Sequence, residues 1–283
     1  MDQLEEVTAL CRAELSRIER KYSRYLDGSI VSEINRCAGS GNFVALDSET
    51  ARLLDYAKTV FDQSDGLFDI TSGVLRQAWN FKSNQLPTDD ALRELCKRVG
   101  WKRVEFQGSS LHLPVVGMEI DFGGFGKEYA ADRVAGLCRG AGITAGLIDL
   151  GGDVCILGAH PDGSAWQVGI RNPRDPERAM AVLPLSRGAL ATSGDYERFM
   201  EIDGERYCHL LDPRTGWPIR GLAGVSVVAE QCLVAGTATT VAMLKGTQGP
   251  RWLKKLGLPY LWVDAERKTG GSLWPKNAPN PGA

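Results

Sequence analysis

The order of helical and strand-like segments constrains this chain most. Apolar periodicity predicts helices over about 3–22, 48–64, 88–98, 127–140, 235–246 and 248–256. Strand-like runs occupy about 103–107, 110–114, 145–150, 153–158, 165–171, 181–185, 189–192, 197–202, 224–229 and 260–263. Segments 197–202 and 206–210 flank Asp203-Gly204, a strong signal for a two-residue hairpin turn. Hairpins and helical crossovers mix, without the regular alternation that builds a doubly wound parallel sheet. The expected class is α+β, a single domain of mixed and antiparallel sheets with packed helices. The polar stretch 172–178 predicts a surface loop between two strands. No Pro/Ser-rich linker divides the chain, so one domain is expected over 1–267. A loose tail rich in Gly, Pro and Asn is expected over 268–283.

Charge and hydropathy exclude several classes. Lys plus Arg number 33 and Asp plus Glu 35, a formal charge of −2. That balance excludes a generally basic nucleic-acid binder. Hydrophobic residues at 43% and charged residues at 24% exclude a disordered chain. No apolar run approaches the roughly 18 residues of a membrane span. The N-terminal segment carries early acids and no basic region before an apolar one, so it predicts an amphipathic helix and a cytoplasmic protein. The seven cysteines have neither zinc nor redox spacing, and reduced buried thiols are expected.

Glycine is abundant, 33 of 283 residues, against an average of about 7%. Many of these glycines sit beside acids and hydroxyls in four clusters: DGLFDITSG at 65–73, IDFGGFGKEYAADR at 120–133, LIDLGGDV at 147–154, and ATSGDYERF at 191–199 followed by RYCHLLDPRTGWP at 206–218. Any one of them is ordinary turn chemistry. Four in one chain, each beside an apolar strand, predict a polar cleft that backbones approach closely. GGFGKE at 123–128 is not a Walker phosphate loop. Asp121 stands where that loop needs Gly, and Glu128 where it needs Ser or Thr. A Gly-rich turn entering a helix still offers N–H groups to an anion. Among the three histidines His209 stands out, because Asp212, Arg214 and Thr215 follow it within six residues. A base beside an anionic ligand needs such neighbours.

In the same order along the chain, YSRYLDGSIVSEIN, GLFDITSG, DFGGFGKEYAADR, LIDLGGDV, TSGDYERF and YCHLLDPRTGWP resemble the ApbE family. The resemblance spans about residues 5–265 and implies a flavin transferase domain over 1–267. It implies an enzyme that cleaves the FAD pyrophosphate and transfers FMN to a Thr or Ser hydroxyl of a partner flavoprotein. The product is a phosphoester and the leaving group is AMP. FAD is then a substrate, magnesium assists, and the partner carries an FMN-binding domain.

The resemblance also implies roles for residues. His209 matches the base for the acceptor hydroxyl. Tyr25, Leu67, Phe68 and Asp69 match the flavin pocket, with Ser29 and Asn35 nearby in the motif and Gly28 where the family has Asp. Lys127 matches the lysine on FAD. Asp149, Gly151, Gly152 and Asp153 match a GGD turn. Thr192, Ser193, Gly194, Asp195 and Tyr196 match the TSGDY strand and turn. Asp212, Arg214 and Thr215 match the following loop, which binds cofactor or orders the site. Gly124 matches a carbonyl ligand of the metal, and Thr240 a hydroxyl ligand.

One departure stands in the metal set. The family Asp four residues before that Thr is Gly236 here. Positions i and i+4 share a helix face, so the family pair makes a two-point clamp. Three readings follow for this chain. Magnesium binds more weakly through Thr240 and FAD oxygens, since it keeps few protein ligands. Asp195 or another acid supplies the charge. Or the protein binds and delivers FAD without transfer. Hydrolysis of FAD by water, a pyrophosphatase activity, shares nearly the whole site.

Overall fold

The computed structural model describes residues 3–83 and 85–274. Its helices are α1 (Gln3–Tyr22), α2 (Ile30–Arg36), α3 (Ser48–Gln63), α4 (Asp89–Cys96), α5 (Gly126–Gly140), α6 (Cys232–Leu244) and α7 (Gly249–Leu256). Its strands are β1 (Val44–Ala45), β2 (Glu105–Phe106), β3 (Ser110–His112), β4 (Gly146–Leu150), β5 (Asp153–Gly158), β6 (Trp166–Asn172), β7 (Asp175–Leu185), β8 (Gly188–Gly194), β9 (Phe199–Ile202), β10 (Glu205–Cys208), β11 (Leu222–Ala229), β12 (Tyr260–Asp264) and β13 (Thr269–Gly270). Every strand pairing is antiparallel, so the class is α+β as the sequence order predicts.

The chain forms two compact units. One gathers the chain up to Arg17, Phe125–Glu197 and the chain from Arg220; the other gathers Ile18–Gly124 and Arg198–Ile219.

The first unit is built on a six-stranded sheet in the order β13-β12-β11-β8-β5-β4. Period-2 alternation sends neighbouring side chains to opposite faces. Val154, Ile156 and Leu190 face Val168, Ile170, Ala181 and Leu183 of the β6–β7 ribbon. Cys155 and Ala189, one residue out of phase, face Ala131 and Ala135 of α5 and Cys232 of α6. Small residues at this second face let the helices lie close to the sheet. Helix α6 is apolar or small nearly all round, the signature of a central buried helix.

The sequence predicts α6 from 235, but it begins at Cys232. Its N-cap position, Gln231, makes no side-chain cap. Asp132 of α5 caps it instead, accepting from Cys232 N and Leu233 N, both at 2.8 Å. That start is set by a residue a hundred positions away, outside any local pattern.

The predicted loop over 172–178 is corrected. Only Pro173 and Arg174 form a turn; Asn172 pairs with Asp175, and β7 runs on from there. Asn172 Oδ1 accepts from Arg174 N at 2.9 Å, an Asx turn. A two-stranded ribbon consists of edges, and an edge strand accepts polar residues and proline that read locally as loop.

The second unit holds a three-stranded sheet in the order β1-β3-β2, the β9–β10 hairpin, α2, α3 and α4. A 3-10 helix, Ile70–Gln77, buries Val74 and Leu75 against Leu95. Trp79, Leu92, Met200 and Tyr207 form a neighbouring core. The predicted strand 103–107 shortens to Glu105–Phe106, because Trp101–Arg103 form a 3-10 turn. The hairpin over Asp203-Gly204 is present: Ile202 pairs with Glu205, and φ is 52° and 78° at the two turn residues. No cysteine forms a disulfide; Cys11 Sγ and Cys138 Sγ lie 3.5 Å apart as thiols. Of the tail expected over 268–283, Thr269–Gly270 is a strand and residues 275–283 lie outside the described residues.

Candidate active site

In the first unit the polar residues gather where α5, α6 and the ends of β5 and β8 converge. Strands β4 and β5 are joined by two residues, Gly151 and Gly152, both left-handed with φ of 64° and 91°. Glycine takes two such conformations in succession without Cβ strain, which is why Gly-Gly suits this two-residue turn. Asp149 Oδ1 accepts from Gly152 N at 2.8 Å and closes the turn. Asp153, the first residue of β5, is then fixed and buried at 2% exposure. Its Oδ1 accepts from Thr192 N at 3.2 Å, and its Oδ2 pairs with Lys127 Nζ at 2.7 Å. Burial works against the Lys127 ammonium, but Asp153 foremost and then Glu128 and Cys232 outweigh it and hold its pKa above the ordinary lysine value. Lys127 therefore stays charged in the first turn of α5, where backbone N–H groups also favour an anion.

Ser193 and Thr240 lie within one relay of hydroxyls. Thr239 donates to the Gly236 carbonyl at 2.8 Å. Each hydroxyl has a single proton, so Thr239 accepts from Ser193 at 2.8 Å, and Ser193 accepts from Thr240 at 3.3 Å. The relay ends at Thr240, whose hydroxyl donates to Ser193 and so keeps its lone pairs out of the relay. Asp195 does not join this group. Arg174 holds both its oxygens at 2.8 Å, in a bidentate pair. Gly194, across from Gly224 in the ladder, gives room to the Tyr196 ring, whose hydroxyl is pushed up to about 12 by burial and then by Glu197.

Glu128 is the residue the sequence motifs pass over. It follows Lys127 in α5 and is buried, at 8% exposure. Its Oε2 is buried with no hydrogen-bond partner. Burial first and the Asp153 charge second push its carboxyl up to about 8. A Cβ at Gly236 would lie 2.4 Å from Glu128 Cγ and 2.9 Å from Cδ and Oε1. The Glu128 side chain thus fills the place of a side chain at 236. The only sequence signal was an acid where a phosphate loop has Ser or Thr, and it read as a mismatch. A buried carboxylate oxygen without a hydrogen-bond donor on the same side of α6 as the Thr240 hydroxyl fits the oxygen chemistry of a small divalent cation.

The second unit carries the other predicted residues. His209 follows β10, half-buried. The Arg198 carbonyl accepts from His209 N at 3.0 Å and lies 3.2 Å from Nδ1. A carbonyl cannot donate, so Nδ1 carries the proton and Nε2 is the basic nitrogen. Asp212 binds Arg214 through two hydrogen bonds, at 2.9 and 2.6 Å, and Thr215 accepts from Trp217 N at 3.2 Å. Burial raises the Asp212 carboxyl, but Arg214 outweighs it and the net shift is down. These residues order the loop that follows His209.

Asp69 is buried, and its oxygens accept from Thr71 N at 2.8 Å, Thr71 Oγ1 at 2.6 Å and Trp101 N at 2.9 Å. It caps the 3-10 helix and shapes the segment that buries Leu67 and Phe68. Gly124 lies against the Phe68 ring, and a Cβ there would stand 3.2 Å from Cζ. Tyr25 is 75% exposed, with the Arg24 guanidinium 4.7 Å from its ring centroid and donating to its hydroxyl at 2.6 Å. Ser29 caps α2, and Asn35 clasps the Ile120 backbone, donating to O at 3.1 Å and accepting from N at 2.7 Å. Their motif matches are thus placed in structural roles.

The first unit thus holds a charged lysine at a Gly-rich helix start and a hydroxyl relay beside a buried carboxylate, a set suited to a phosphorylated ligand; the second holds a histidine whose Nδ1 is engaged by a carbonyl. The chain belongs to the ApbE family, which it matches over residues 2–262. It is 28% identical over 240 residues to the FAD:protein FMN transferase of Vibrio cholerae, covering 83% of this chain and 72% of that protein. It is 31% identical over 262 residues to the protein of the same name from Treponema pallidum, covering 86% and 71%. The crystal structure of the ApbE protein from Thermotoga maritima superposes with a TM-score of 0.87 at 31% identity, covering 95% of this chain and 89% of that one. Flavin transferase ApbE from Vibrio cholerae gives 0.85 at 25% identity, covering 95% and 88%. No helix among the described residues is long and apolar enough to cross a membrane.

Proposed function

We propose that this protein is an FAD:protein FMN transferase, taking FAD as substrate and a Thr or Ser hydroxyl in the FMN-binding domain of a partner protein as acceptor. Relatives carrying that name over more than 80% of this chain support the reaction. The observation that supports the chemistry is the contact of His209 Nδ1 with the Arg198 carbonyl, which favours the proton on Nδ1 and the base at Nε2. In this reading the acceptor oxygen attacks the FMN phosphorus, and its proton passes to His209 Nε2. The bond from that phosphorus to the bridging oxygen breaks, and AMP leaves with the electron pair. Lys127 and the N–H groups opening α5 bind the diphosphate and take up charge as it shifts to the leaving oxygen. In this reading Tyr25 offers its exposed ring to the flavin, and the buried Leu67 and Phe68 shape the segment behind the pocket.

The resemblance assigns a magnesium ion to the Gly124 carbonyl and Thr240, and when bound such an ion neutralises phosphate charge. We also assign the protein to a reducing compartment, on an odd number of cysteines with no paired spacing in the sequence.

The test incubates purified protein with FAD and magnesium, with and without a Thr-bearing FMN-binding domain, and follows AMP and the fluorescent acceptor. AMP that requires the acceptor, with flavin bound covalently to it, is the expected result. AMP without acceptor means hydrolysis, and FAD bound with no AMP means a carrier. His209→Ala should bind FAD normally and lose transfer by about 10²–10⁴-fold. Transfer at the normal rate would remove His209 from the role.

A further inference from the structure

We propose that Glu128 supplies this chain's anionic ligand for the divalent cation that accompanies FAD, from the space on α6 that Gly236 leaves. The inference rests on the flavin-transfer reading above, and it adds a residue which that reading does not include.

Glu128 and a side chain at 236 are mutually exclusive occupants. A Cβ at 236 would stand 2.4 Å from Glu128 Cγ, far inside van der Waals contact. Gly236 and Thr240 are four residues apart on α6, so they share one face. Glu128 thus brings its carboxylate from α5 to the spot that an α6 side chain would otherwise reach, one turn from the Thr240 hydroxyl. Its Oε2 is buried and receives no hydrogen bond, and Asp153 lies against the same carboxyl, so two acids face one another where a cation would offset their repulsion. The donors complement one another: Thr240 ends its relay as the donor and so does not spend its lone pairs on it, and Lys127 pairs with Asp153. Among the described residues no three His, Cys, Asp or Glu side chains cluster to hold a metal. Magnesium does not require such a cluster; one or two carboxylates, waters and substrate phosphates suffice. Softer transition metals want thiolate or imidazole ligands, so the cation is a hard, oxygen-preferring one that enters with the diphosphate.

The test uses the full chain loaded with FAD and Mn²⁺ as the probe, with unbound Mn²⁺ read by electron paramagnetic resonance. Glu128→Gln keeps the shape of the side chain and removes its charge. It should weaken Mn²⁺ binding by about tenfold or more while leaving metal-free FAD binding unchanged. The exchange variant Glu128→Ala/Gly236→Asp returns a carboxylate to the same space from the other helix, and it should recover most of the lost affinity. A Glu128→Gln protein that binds Mn²⁺ as the wild type does overturns the inference and leaves the flavin reading intact. If Glu128→Gln does not fold, the exchange variant decides, and its failure to bind Mn²⁺ overturns the inference. A wild-type protein that binds no FAD sinks the flavin reading, and this inference with it.

Discussion

Two neighbouring residues show how legible a site is from sequence. Lys127 reads out of its motif, because a Gly-rich turn before a helix announces an anion site by composition alone. Glu128 does not, because its meaning depends on what α6 lacks at Gly236, more than a hundred positions away. The sequence lets Asp195 compensate for the missing carboxylate, but its bidentate partner Arg174 cannot be read from spacing. The geometry also sets the outcome of Gly236→Asp alone. With Glu128 in place, that variant overpacks the α5–α6 contact and sets a second carboxylate beside the first. It should lose about 1–3 kcal/mol of stability, read as a lower midpoint in denaturant. Stability equal to wild type would mean that Glu128 vacates its place without cost. Asp69→Ala belongs to the same scale. It removes a helix cap and leaves Trp101 N buried without an acceptor. The expected loss is about 2 kcal/mol, measured by urea unfolding.

Elements were legible where period and cap lie in one window. Helix α3 runs from Ser48 with Asp47 accepting from Glu49 N and Thr50 N, and the β9–β10 turn is written in Asp203-Gly204. Helix α2 escaped because seven residues give too few turns for a period to show. The first turns of α6 escaped because their cap comes from α5.

Between elements, α1 is tied to α5 by charge. Glu14 binds Arg17 at 2.8 Å on its own helix and Arg133 at 2.9 Å on α5. The Arg17 hydrogen bond chiefly, opposed by burial and reinforced by Arg133, holds the Glu14 carboxyl down to about 2 against an ordinary 4.5. A depressed carboxylate contributes stability that is complete above its unfolded pKa and lost as pH falls through its folded one. The window is thus from about 4.5 down to about 2. Both arginines are partly exposed, so solvent limits the gain to about 1 kcal/mol. Glu14→Gln should be less stable than wild type by about that much at neutral pH, and the gap should close as pH drops through this window. A gap that persists at the acid end would assign the loss to packing rather than charge. Denaturant midpoints across the pH range decide it.

At the scale of the whole molecule, chain order and spatial order part company. The sequence contains no linker, and a continuous α+β domain is a fair expectation from it. In space the stretch Ile18–Gly124 is completed by Arg198–Ile219, which returns after more than seventy residues committed to the other unit. No local pattern encodes such a return, because it is a property of contacts between distant segments. Its energetic content is concentrated at Trp79. The indole donates to the Gly216 carbonyl at 2.8 Å and packs with Met200 and Tyr207, all from the returning segment. Trp217 meets it edge-on at 5.5 Å between ring centroids. A fragment of residues 18–124 therefore keeps α3 and its cap but loses the lid of this aromatic core. Burying a large aromatic side chain is worth about 1.5–3 kcal/mol, and the fragment forfeits several such burials together with the indole hydrogen bond. Domains keep only about 5–15 kcal/mol in total, so the deficit is a large share of what holds the unit together. The expected outcome is a fragment with helical far-ultraviolet dichroism, solvent-exposed tryptophan fluorescence and no cooperative thermal transition. Supplying residues 198–219 through a short engineered connection should restore both the transition and the blue-shifted tryptophan emission. A fragment of 18–124 that melts cooperatively by itself would show that the core around Val74, Leu75 and Leu95 suffices, and that the returning segment brings His209 without holding the unit together.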